Sequence, residues 1–92
     1  MFFWKGRIRI KEGSKGLVKM ILERNGLKPE ENDDIITFWE EKDPFYYPRS
    51  KAEALCRELR EAGAEEVEIN GFSIVDIFTC RLKGESVEWE EK

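Results

Sequence analysis

The chain of 92 residues contains no histidine and no glutamine, and only three asparagines, three prolines and two cysteines. Each shortage excludes something. Without histidine the side chain that ordinarily changes charge near neutral pH is missing, and with it the usual general base and the commonest metal ligand. Cys56 and Cys80 lie too far apart for a Cys-x-x-Cys redox pair, and two cysteines alone cannot complete a four-ligand zinc site. They read as small buried apolar residues. The alternative is an intramolecular disulfide, worth up to roughly 3.5 kcal/mol in the loop-entropy account. No apolar run approaches the ~20 residues that span a bilayer, and the opening MFFWKGRIRI alternates where a targeting segment would run unbroken. A cytoplasmic location without membrane association is expected.

Charge is what the chain has in excess. Charged residues make up 39% of it, with a net charge of -4. Abundant Glu and Lys with few thermolabile amides is the pattern of heat-adapted proteins, so a thermophilic source is expected. The acidic balance disfavours non-specific attraction to phosphate backbones, yet it leaves room for a local basic patch. A chain this short holds one core, hence a single α+β domain over residues 1–92. It carries no G-x-S-x-G elbow, P-loop or dinucleotide fingerprint, and its glutamates spread over helix and strand exteriors. The expectation is a non-enzymatic chain with neither cofactor nor metal, since PEENDD also lacks the spacing of an EF-hand loop.

From Phe2 to Lys11 apolar and basic positions alternate, which predicts a half-buried strand. Ser14 is placed to cap a helix through KGLVKMILERN with Leu17, Val18, Met20, Ile21 and Leu22 apolar. Gly26 and Leu27 suit a Schellman ending. KPEENDD reads as a polar loop and DIITFWEE as a strand. Ser50 and Glu53 form an S-x-x-E capping box ahead of a helix burying Ala52, Leu55, Cys56, Leu59 and Ala62, with a Glu53–Arg57 pair outside and a stop at Gly63. EEVEI is a strand, Asn70-Gly71 signals a hairpin, FSIVDIFTCRLK returns, and Gly84 leads to a last strand around Val87 and Trp89. Asp76 interrupts the apolar face of the returning strand, which a β-bulge turning it to solvent would explain.

If Phe45-Tyr46-Tyr47 adds a short strand, the chain becomes two strand–helix–strand halves plus a hairpin. That order resembles the ferredoxin-like plait, which implies two helices on one face of a mostly antiparallel sheet of four to five strands. Without that strand the crossovers join parallel strands in a mixed β-α-β-α-β-β-β sheet.

Two sets of residues are candidates for function. Phe45, Tyr46 and Tyr47 between two prolines, with Arg49 beside them and Trp39 upstream, have the composition of a protein-docking anchor, for a partner protein or a second copy. Trp89 is a further aromatic of this kind. The stripe Lys5, Arg7, Arg9 and Lys11 with Phe3 suits single-stranded RNA or DNA, cations tracking phosphates while the ring stacks a base. Glutamates at Glu66 and Glu68, or at Glu88 and Glu90, would instead neutralise that stripe across strands. On sequence alone protein docking ranks first and nucleic acid second.

Overall fold

The structure, a computed structural model, describes residues 2–10, 12–42, 48–72, 77–84 and 86–91, the side chains of residues 2, 3, 12, 40–42, 48 and 91 excepted. Its elements are β1 (Phe2–Ile10), a 3₁₀ turn (Glu12–Ser14), α1 (Lys15–Arg24), β2 (Lys28–Asn32), β3 (Ile35–Lys42), α2 (Pro48–Glu61), β4 (Ala64–Phe72), β5 (Ile77–Lys83) and β6 (Ser86–Glu91). Among the described residues they make an α+β domain with two helices and one sheet of six strands in the order β2-β3-β1-β4-β5-β6, every neighbouring pair antiparallel. No helix among the described residues is long and apolar enough to cross a membrane.

The alternation in β1 sets the two faces of the sheet. Trp4, Gly6, Ile8 and Ile10 are buried while Lys5, Arg7 and Arg9 are exposed. Ile36 and Phe38 of β3, Val67 and Ile69 of β4, and Phe78, Cys80 and Leu82 of β5 continue the buried face. Against it pack Val18, Ile21 and Leu22 of α1 and Ala52, Leu55, Cys56 and Leu59 of α2. The other face carries no helix among the described residues. Leu17 and Met20, read as part of the apolar side of α1, are 46% and 58% exposed, because a helix on one side of a sheet buries only a narrow stripe.

The C-terminus of α1 closes as its residues require. Gly26 takes φ 76°, its N–H donates to the Glu23 carbonyl, and Leu27 N–H reaches back to Leu22 at 2.9 Å. Leu22 and Leu27 are both buried, completing a Schellman motif.

Several expectations are corrected. Among the described residues the sheet has six strands, not four or five, and none of its neighbours is parallel, so the mixed-sheet alternative fails. The extra strand is β2, KPEEN, read as a loop because it has almost no apolar residue. It pairs with β3 along its whole length as an edge strand, and Glu31 reaches Lys15 at 3.3 Å and Lys19 at 3.4 Å on α1. The turn after it uses Asp33 at φ 56°, a conformation that Asp tolerates better than most residues.

Asn70-Gly71 is not a hairpin turn: β4 runs through both to Phe72, with Asn70 opposite Thr79 and Gly71 opposite Phe78. Gly71 also pairs with Trp4, so a residue without a Cβ sits between two large aromatic positions on the core side, where a strand glycine leaves room for rings. Phe72 therefore belongs to β4 and is exposed, not part of the buried face of β5. The Ser14 side chain makes no capping hydrogen bond; its Oγ instead lies against Gly63, 2.3 Å from where a Cβ would stand. Helix α2 starts two residues before the capping box, at Pro48, since a proline is well suited to a first helical position. Glu53 pairs with Arg57 at 3.0 Å, one turn on. Phe45 to Tyr47, Lys11 and Asp76 lie outside the described residues.

Candidate functional site

The open face is a set of rows running across the strands. One row is Lys28, Trp39, Lys5, Asn70, Thr79, Glu90; the next is Glu30, Thr37, Arg7, Glu68, Arg81, Glu88. Trp39 is 53% exposed and stands directly between Lys28 and Lys5. Neighbouring strands are about 4.8 Å apart, so the backbones of Lys28 and Lys5 each run one strand spacing from that of Trp39.

Charge divides this face in two. Among the described side chains of β1, β2 and β3 that share it, Lys5, Arg7, Arg9 and Lys28 are cationic and Glu30 alone is acidic. On β4, β5 and β6 a cation, Arg81, is held by carboxylates on both neighbouring strands. Arg81 donates from Nε to Glu68 at 2.9 Å and from Nη1 to Glu90 at 2.7 Å. Those two hydrogen bonds, Glu68 first, push the Arg81 guanidinium above its ordinary pKa. Glu68, the register neighbour of Arg7, is thereby engaged elsewhere. No ion pair to Lys5, Arg7 or Lys28 occurs among the described residues. Arg9 approaches Glu66 only to 3.9 Å, with both side chains about half exposed, a geometry that contributes little.

Two contacts organise the middle of the face. The Lys5 ammonium lies 5.7 Å from the centroid of the Phe72 ring. The Thr79 hydroxyl donates to Asn70 Oδ1 at 2.8 Å, and Thr79 is 2% exposed. That bond fixes the carboxamide so that its N–H donors remain for the open side. Trp39, Lys5, Lys28, Arg7 and Asn70 line one concavity of about 430 Å³.

The structure thus regroups the two candidate sets. Trp39, assigned to protein docking, lies on the same face as Lys5, Arg7 and Arg9, assigned to nucleic acid. Phe3 is a register partner of Glu41 and of Phe72 in the adjoining row. Arg49 is elsewhere: its guanidinium carbon sits 5.2 Å from the Phe78 ring centre and 5.5 Å from that of Trp89, joining α2 to the C-terminal hairpin. Sequence reasoning missed Lys28, hidden in a segment read as loop, and Asn70, assigned to a turn; neither position could be placed before the register was known. Among the described residues no three of Cys, Asp and Glu converge as metal ligands. The chain matches no protein-family model, no curated protein and no solved structure.

Proposed function

We propose that this protein is a non-catalytic binding domain that receives single-stranded nucleic acid on the open face of β2, β3 and β1. One observation carries the reading: an exposed Trp39 between Lys28 and Lys5, with Arg7 beside them and bound to no described carboxylate. An aromatic face stacks a base of any sequence, and flanking cations follow the phosphates. Asn70 supplies hydrogen-bond donors for a base edge. The net charge of -4 does not oppose this, because charges more than about 8 Å away are largely screened at physiological salt, and around the concavity Lys5, Arg7 and Lys28 outnumber Glu30 and Glu68.

The architecture is read as a ferredoxin-like plait with an added hairpin. The chain order β1-α1-β2-β3-α2-β4 and the lateral order β2-β3-β1-β4 support it, with β5 and β6 appended beyond β4.

The test is a fluorescence titration of the whole chain with single-stranded oligonucleotides at several salt concentrations. Indole quenching is expected, with log K falling against log salt at a slope of about -2 to -3, the value for three or four phosphates. Dissociation constants weaker than about 10⁻⁴ M at low salt, or equal binding of a duplex of the same length, overturn the proposal.

A second reading, docking of a protein partner or a second copy, is favoured by one different observation. Phe72 and Ile77 are cross-strand neighbours, 36% and 39% exposed, at one end of the same face. Sedimentation at increasing concentration separates the two: association without oligonucleotide binding selects docking.

A further inference from the structure

The chain's only two cysteines face each other in the core. Cys56 on α2 and Cys80 on β5 are 24 residues apart, fully buried, and their Sγ atoms are 3.6 Å apart. Both thiols are free. Among the described residues neither sulfur has another hydrogen-bond partner.

We propose that Cys56 and Cys80 are a disulfide-forming pair, oxidised by a small-molecule disulfide as the chain folds, and that the bond staples α2 to β5. A disulfide needs about 2.05 Å between sulfurs, so closure asks for roughly 1.5 Å of sulfur movement, within reach of rotations about the two Cα–Cβ bonds. The chemistry balances as two exchanges. One cysteine thiolate attacks the small disulfide, forming a mixed disulfide and expelling the first small thiolate. The second cysteine thiolate attacks the protein sulfur of that mixed disulfide and expels the other. The protein loses two electrons and two protons, and two small thiols carry them away.

Burial decides when this happens and what kind of bond results. Cys56 and Cys80 are both fully buried, so a small disulfide cannot reach either sulfur of the packed dithiol. The bond forms before α2 has settled on the sheet. Once made, the same burial keeps reductants out. The pair is a structural staple and not a fast redox sensor, a role that would need an exposed, acidic thiol.

The test is refolding of the reduced full chain from denaturant in a glutathione redox buffer, followed by intact-mass measurement, alkylation in denaturant and thermal melts with and without reductant. A monomer lighter by two hydrogens is expected, with no alkylatable thiol. Its Tm should exceed that of the reduced form by about 10 °C or more, given the length of the closed loop and the size of the domain. Two alkylatable thiols after oxidative refolding overturn the proposal. Glutathione adducts or intermolecular dimers in place of the internal bond do the same. So does an oxidised monomer that melts no higher than the reduced one.

Discussion

The Phe38 ring covers Gly6: a Cβ built on Gly6 would stand 2.3 Å from Phe38 Cζ and 2.6 Å from the backbone oxygen of Glu68. The ring can swing away; the neighbouring strand cannot. Gly6→Ala is therefore expected to destabilise the fold by about 2–3 kcal/mol, in the range for overpacking a filled core. Gly16, inside α1, has nothing within 4 Å of its missing Cβ, and Gly16→Ala should raise stability by about 0.5 kcal/mol through helix propensity. Urea unfolding of both variants checks the pair, and equal behaviour would refute the close approach.

Removing the stacking ring should weaken oligonucleotide binding without unfolding the protein. Trp39→Ala is expected to reduce affinity by about 1–3 kcal/mol, the range for one stacked base. Arg7→Ala should leave stability unchanged and make the salt slope shallower by about 0.7, the contribution of one phosphate. A Trp39→Ala protein that binds as well as the parent would place the strand elsewhere.

Carboxylates beside the cationic half set a limit on its attraction. Glu66 is the register neighbour of Arg9 and Glu68 of Arg7. Glu66→Gln should tighten binding severalfold at low salt, and the gain should vanish at high salt as screening removes it. Glu68→Gln also releases Arg81 from one of its two partners, so its effect should be the larger. A titration at two ionic strengths distinguishes the variants.

Acid should loosen β2 before the rest of the sheet. Lys15 and Lys19 hold the Glu31 carboxyl below its usual pKa, mainly through their hydrogen bonds. A depressed folded pKa contributes stability above the unfolded value, near 4.5, and loses it as pH falls through the folded one. Protection of the amides in residues 28–32, corrected for the intrinsic exchange rate at each pH, should fall below about pH 4.5. Because Glu31 is well exposed, the effect should be small and should shrink with added salt. Glu31→Gln should remove it.

The readable parts of this sequence were those in which side-chain period and burial agree. Trp4 to Ile10 alternate because one face of β1 is covered and the other is open. Ala52, Leu55, Cys56 and Leu59 recur at helical spacing because α2 buries a single stripe. β2 was illegible because its pairing is held by backbone bonds and by Glu31, neither of which leaves an apolar pattern. Asn70-Gly71 misled for a physical reason: a glycine suits a tight turn and equally a buried strand position, here one flanked in register by Trp4 and Phe78. The site was half legible. The basic stripe was visible in β1, but its neighbours Trp39 and Lys28 depend on a register between β1, β3 and β2 that spacing along the chain does not encode.

The packing of Arg49 against both Phe78 and Trp89, whose ring centres are 5.4 Å apart, ties the beginning of the second helix to the last strand of the sheet. An outermost hairpin would ordinarily fray alone, exchanging its amides through local openings. Here peeling β6 away also strips the cation at the head of α2 of a ring it packs against. The tail of the chain and its middle should therefore open together, as one cooperative unit that excludes the first hairpin, β2–β3.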